Sequence, residues 1–184
     1  SVPELLHTFL FNLKKTTMQT TNRSNQPILS QTENNTTLWI GHLKPDTNDH
    51  IAGQTFKCPS HGIVNNIQVY SSTVQEPGDL ALTLHEFDVA SQSWGSAIAD
   101  ANMYLQKGDD ARWIRFGLAP VELKKDATYG FRLQTENAFI GIGEAASHAK
   151  QPFSFGNEWK SDNAGSKGHF YSYFSLAFKV ELCA

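Results

Sequence analysis

The stretch from Gln54 to Asp88, QTFKCPSHGIVNNIQVYSSTVQEPGDLALTLHEFD, constrains the fold of this chain more than any other. Leu80, Leu82 and Leu84 share one face there, while Ala81, Thr83 and His85 take the other. A repeat of two residues marks an extended chain with one buried side, because successive side chains on a strand point in opposite directions. Upstream, Gln54 to Cys58 is a short strand stopped by Pro59, and His61-Gly62 makes a turn. Ile63, Asn65, Ile67 and Val69 then alternate with Val64, Asn66, Gln68 and Tyr70. Glu76-Pro77-Gly78-Asp79 is a turn tetrad, so the stretch is expected to be a β-hairpin that founds the core.

The same pattern continues to the end of the chain. Thr37 to Leu43 suits an edge strand closed by Lys44–Asp49, and a second edge strand fits Ala97 to Met103. Ile114, Phe116 and Leu118 share a face with Trp113 opposite; Val121 and Leu123 follow, then a turn at Lys124-Lys125-Asp126. Tyr129, Phe131 and Leu133 form an inner face with Arg132 and Gln134 outside, and Phe139 to Ile142 is a short apolar strand. Residues 144–169 are expected as a long irregular loop. The last strand, Tyr173 to Cys183, would point Phe174, Leu176, Phe178, Val180 and Leu182 inward. Strands spaced about ten residues apart, with Pro/Gly/Asp turns and no intervening helix, predict an all-β, two-sheet antiparallel β-sandwich of jelly-roll type.

The chain divides unevenly. Residues 1–37 are expected to be an N-terminal helix and polar linker, and residues 38–184 the sandwich domain. Leu5, Leu6, Phe9, Leu10 and Leu13 lie at helical spacing in a short N-terminal helical arm, a stripe suited to self-association into a homo-oligomer. Of the 184 residues, 40% are hydrophobic and 18% charged, which supports one folded domain and argues against a disordered chain. The net charge of −3 supplies no basic footprint for nucleic acid. No apolar run reaches the roughly 20 residues that span a bilayer as a helix, so no membrane span is expected. Ser1 to Glu4 do not resemble the charged start of a secretion signal, and an extracellular or cell-surface setting is expected with any such signal already removed. Cys58 and Cys183 either form one disulfide or stay free thiols.

Several of these motifs occur in one order: Gln54-Thr55-Phe56 with Cys58-Pro59, Ile67-Gln68-Val69-Tyr70, Pro77-Gly78-Asp79-Leu80, Trp113-Ile114-Arg115-Phe116, and Val121 through Leu133. With the closing Leu176-Ala177-Phe178, this order resembles the jelly-roll-like β-sandwich domains of bacterial surface and secreted proteins, carbohydrate-binding modules among them. The resemblance spans roughly residues 51–182. It implies a non-catalytic binding or spacer module, although here the candidate aromatics are scattered over loops instead of forming one flat row.

The chemistry-bearing motifs narrow the choice. There is no Gly-x-Ser-x-Gly elbow, Walker loop or dinucleotide glycine pattern, and no cofactor is implied. In His85-Glu86-Phe87-Asp88 strand parity sends His85 and Phe87 to one side and Glu86 and Asp88 to the other. That leaves Glu86 and Asp88 as the pair able to lend oxygens to a structural Ca²⁺. Trp159, Tyr171, Tyr173 and Trp94 accompany Asn157, Glu158 and Asp162. Aromatic faces stack on sugar C–H faces while amides and carboxylates meet hydroxyls, so these seven residues are the expected carbohydrate site. Phe153 and Phe155 are expected to be buried at the end of the sandwich. The other readings are a structural, self-assembling domain and a glycan-active enzyme.

Overall fold

A computed structural model describes residues 27–162 and 167–183. In chain order the strands are β1 (Pro27–Gln31), β2 (Thr36–Gly41), β3 (Ile51–Lys57), β4 (Gly62–Glu76) and β5 (Gly78–Asp88). They are followed by β6 (Ser93–Leu105), β7 (Arg112–Leu123), β8 (Thr128–Gln134) and β9 (Phe139–Ala146). The last four are β10 (Glu158–Ser161), β11 (His169–Tyr171), β12 (Phe174–Leu176) and β13 (Phe178–Leu182). There is no helix among the described residues, and the expected stripe Leu5, Leu6, Phe9, Leu10 and Leu13 lies outside them.

Two antiparallel sheets make a β-sandwich. One runs β1-β13-β4-β9-β12, with β7 also paired to β4 and β2 to β9; the other runs β11-β10-β3-β8-β5-β6. Between them lie Phe56, Leu80, Leu82, Leu84, Phe116, Phe131, Leu133, Phe178 and Val180, all fully buried. At about 25 cal/mol per Å² of apolar surface, such side chains dominate the folding free energy. The alternating faces expected of β5, β7 and β8 are the observed inner faces.

The departures from the sequence expectation have local causes. β4 and β5 do not form a hairpin: β4 belongs to the seven-stranded sheet and β5 to the six-stranded one, so the turn at Pro77 is a corner between layers. Within β4, Asn65 is an extra residue against β13, while on the other side the irregularity is in β7, where Leu118–Pro120 lie opposite Asn65. Such a bulge inverts the inside–outside alternation. Ile63 is therefore exposed and Val64 buried, although Ile67 and Val69 point inward. The polar linker ends earlier than expected, because Pro27–Gln31 pairs with β13. The loop expected over 144–169 contains the end of β9 and all of β10. The final strand breaks at Ala177, where the chain changes partner from β9 to β4. Cys58 is buried and Cys183 exposed; both are free.

Candidate functional site

On β3, Ala52, Gln54 and Phe56 face the core, so Gly53 and Thr55 face outward. Register places Gly53 beside Arg132 of β8 and Trp159 of β10, and Gly130 of β8 beside Thr55 and His85. Two strand glycines on one outer face leave a gap, since glycine contributes no side chain to cover it. The Trp94 indole fills it. A Cβ at Gly130 would stand 2.6 Å from Trp94 Cζ3, and one at Gly53 3.1 Å from Cη2.

Around this ring the outer face carries a second apolar layer. Trp94 meets Phe87, Trp159 and His85 edge-on at centroid distances of 5.3, 5.5 and 5.6 Å, and stacks on Phe170 at 6.3 Å. Such edge and offset arrangements suit the ring quadrupoles. The Arg132 guanidinium lies 4.7 Å from the Trp159 ring and 5.8 Å from that of Trp94. His85 is fixed in one tautomer. Its Nδ1 lies 2.9 Å from the Gly95 carbonyl, which can only accept, so Nδ1–H donates and Nε2 accepts from Thr83 Oγ1 at 2.8 Å. Burial lowers its pKa, and the Arg132 charge adds to that, so the ring is neutral at pH 7.

Beside this layer a groove of about 430 Å³ opens, lined by Thr55, Lys57, Phe87, Gln92, Asp126, Thr128, Phe155, Asn157 and Phe170. Its loop wall is pinned to β3. Thr55 N donates to Asn157 O at 2.9 Å, Asn157 N to Thr55 Oγ1 at 2.9 Å, and Lys57 N to Phe155 O at 2.8 Å. Phe155 is held at the rim with 59% of its surface exposed, not buried with Phe153 as its sequence context suggests.

Strand parity divides the seven residues grouped from the sequence. Trp94 and Trp159 are on the outer face, but Trp159 is only 2% exposed, with Gly168 packed directly on its indole, and offers no open ring for stacking. Asn157 lines the groove. Glu158 points the other way, into the gap between the sheets, and is fully buried. Its cross-strand partner Tyr171 shares that side; Tyr171 and Tyr173 are exposed near the open edge of the sandwich. Asp162 sits elsewhere, 3.3 Å from His50 Nδ1. Glu86 and Asp88 are both exposed at the end of β5. Asp88 Oδ1 accepts from the Ala90 and Ser91 amides in a turn, and its pKa is lowered first by the Ser91 side chain and then by those amides. No group of three or more His, Cys, Asp or Glu fit for a metal occurs among the described residues. As site residues Phe87, Phe170, Thr55 and Thr128 escaped the sequence reading, and Phe155 was expected to be buried; the outward glycines at 53 and 130 were the signal of a covering aromatic.

Between the sheets, Lys160 Nζ lies 2.6 Å from Glu144 Oε1 and 3.0 Å from Glu158 Oε1, over the Phe174 ring at 4.2 Å. Burial, then the neighbouring Glu144 carboxylate, pushes the Glu158 carboxyl up to about 9. Gln54 bridges the layers nearby, its Oε1 accepting from Leu176 N at 3.0 Å and Ser175 Oγ at 3.2 Å. A protonated acid beside a carboxylate is the pairing general acid–base catalysis uses. Here an ammonium bridges the two, and neither carboxylate lines the groove, so the cluster ties the sheets together. No protein-family model matches the chain, and no curated protein is detectably similar to it in sequence.

Proposed function

We propose that the chain is a non-catalytic carbohydrate-binding β-sandwich of jelly-roll type, acting within a secreted or cell-surface protein. The binding site is the groove along the edge of the outer aromatic layer. One observation carries the reading: Phe155 stands 59% exposed at the rim of a groove whose other walls are Phe87 and Phe170. Thr128, Gln92 and Asn157 supply a hydroxyl and amides within the same groove, while the Thr55 hydroxyl is committed to the Asn157 backbone. Aromatic rings set among polar side chains, here Phe87, Phe155 and Phe170 beside Gln92, Thr128, Asn157 and the Lys57–Asp126 ion pair, suit a ligand that is itself half apolar and half hydroxyl. An aromatic face offers C–H stacking to a pyranose, and the amides and hydroxyl orient its hydroxyl groups. The pinning of Phe155 and Asn157 to β3 limits the ordering cost of binding.

A glycan array followed by calorimetry tests this. The wild type is expected to bind a subset of oligosaccharides, and Phe155→Ala to weaken that binding at least about tenfold, which is 1.4 kcal/mol. Asn157→Ala should narrow the set of sugars bound. An array without any bound glycan overturns the reading, as does full affinity in Phe155→Ala.

A further inference from the structure

We propose that Arg132 is the docking point for a negatively charged group on the ligand, so that the sugar recognised is an acidic oligosaccharide bearing carboxylate or sulfate. This rests on the carbohydrate reading and names the ligand class for the same face of the molecule.

The chain has 18 acidic residues, yet among the described residues none lies within ion-pair distance of Arg132. Arg132 Nε is buried without a hydrogen-bond partner, and so is Trp94 Nε1 in the ring beside it. The terminal guanidinium nitrogens are not buried without a partner and have no hydrogen bond to the described residues, and Arg132 is only partly buried, so they reach the surface of the described structure. The neighbouring His85 supplies no acceptor for the guanidinium, since both its nitrogens are committed to Gly95 and Thr83. A half-buried charge lacking a counterion, flanked by buried donors lacking acceptors, is costly unless something completes it.

The geometry says what completes it. The Trp159 and Trp94 rings lie 4.7 and 5.8 Å from the guanidinium carbon and occupy its surroundings there, while the terminal N–H groups have no hydrogen-bond partner among the described residues. Their fork matches the paired oxygens of a carboxylate or sulfate, and charge-assisted bonds of this kind are the strong ones. A lysine would lack both the plane and the fork. The position also joins the groove: Trp94, 5.8 Å from the guanidinium, touches the groove residues Phe87 and Phe170 at 5.3 and 6.3 Å. With one indole between the two subsites, the charged unit is a different sugar from the one stacked on Phe155, and the ligand is at least a disaccharide.

The test is a calorimetric panel of neutral, uronic-acid-containing and sulfated oligosaccharides at low and high salt, with wild type, Arg132→Gln and Arg132→Lys. Wild type should favour acidic over neutral members at least tenfold, with the preference shrinking at high salt as exposed charges are screened. Arg132→Gln should abolish the preference and keep neutral binding; Arg132→Lys should restore only part of it. Whichever of the uronic and sulfated arms binds identifies the anion. Glycan binding with no preference for acidic members in wild type overturns this inference and leaves the carbohydrate reading standing. If Arg132→Gln fails to fold, salt-independent binding of acidic members by wild type is the overturning result. In parallel, free sulfate and glucuronate are titrated against tryptophan fluorescence with a chloride control. An anion response lost in Arg132→Lys or Arg132→Gln, beside an empty panel, keeps the anion site and removes the glycan. No response and an empty panel overturn both.

Discussion

Replacing Glu158 by glutamine should convert a pH-dependent stability into a flatter one. The carboxyl is buried between the sheets beside Glu144, and its folded pKa of about 9 lies above the ordinary 4.5. Between those values the folded protein carries one proton more than the unfolded chain, so stability falls as pH rises. The slope is at most about 1.4 kcal/mol per pH unit. From pH 5 to pH 8 this amounts to no more than about 4 kcal/mol, with the opposing Lys160 attraction already contained in the raised pKa. Burial lowers the Lys160 pKa but the two carboxylates raise it further, so the stability it contributes persists until the pH exceeds the ordinary lysine value. It does not mask the Glu158 effect in this window. Glutamine keeps the shape and donates to Glu144 without titrating. Urea unfolding of both proteins at pH 5, 6, 7 and 8 should give similar stabilities at pH 5 and a variant that gains on the wild type by about 2–4 kcal/mol at pH 8. Parallel profiles would refute the claim that Glu158 is protonated in the folded state.

Two further outcomes are expected. Gly130→Ala forces the Trp94 indole off the outer face, because the new methyl would lie 2.6 Å from Cζ3 and the Gln54 carbonyl 3.0 Å away on the other side. A loss of about 1–3 kcal/mol with a shifted tryptophan emission is predicted, and an unchanged melting temperature would contradict the packing described. For the thiols, a disulfide-exchange reagent at pH 8 should label one cysteine quickly in the native protein, Cys183, and a second only in denaturant. Burial both shields the Cys58 thiol and raises its pKa. Equal native rates for both would remove that assignment.

Much of the sandwich was legible because burial on one face writes a period of two into the chain. The leucines of β5, the Ile114–Leu118 face and the Tyr129–Leu133 face each declared their inner side. Reading failed where register, and not composition, decided direction. The Asn65 bulge against β13 turned Ile63 outward against its apolar character. Likewise the seven grouped site residues lay close in sequence, mostly within 157–173. Adjacent positions on β10 and β11 nevertheless point to opposite sides of a sheet, so Glu158 and Tyr171 parted from Trp159.

Local alternation and turn chemistry, then, are properties of consecutive residues, and they determined that the described residues form a two-sheet β-sandwich with the inner faces of β5, β7 and β8. Which sheet each strand joins is a different kind of fact. It depends on pairings between residues far apart in the chain, such as Trp159 with Gly53 or Gly53 with Arg132. Only those pairings laid Trp94 across two glycines, left Arg132 without a counterion among the described residues, and lifted Phe155 to the rim of a groove. A binding surface is assembled from side chains that meet across strands, and nothing in the local pattern of any one strand specifies its neighbour.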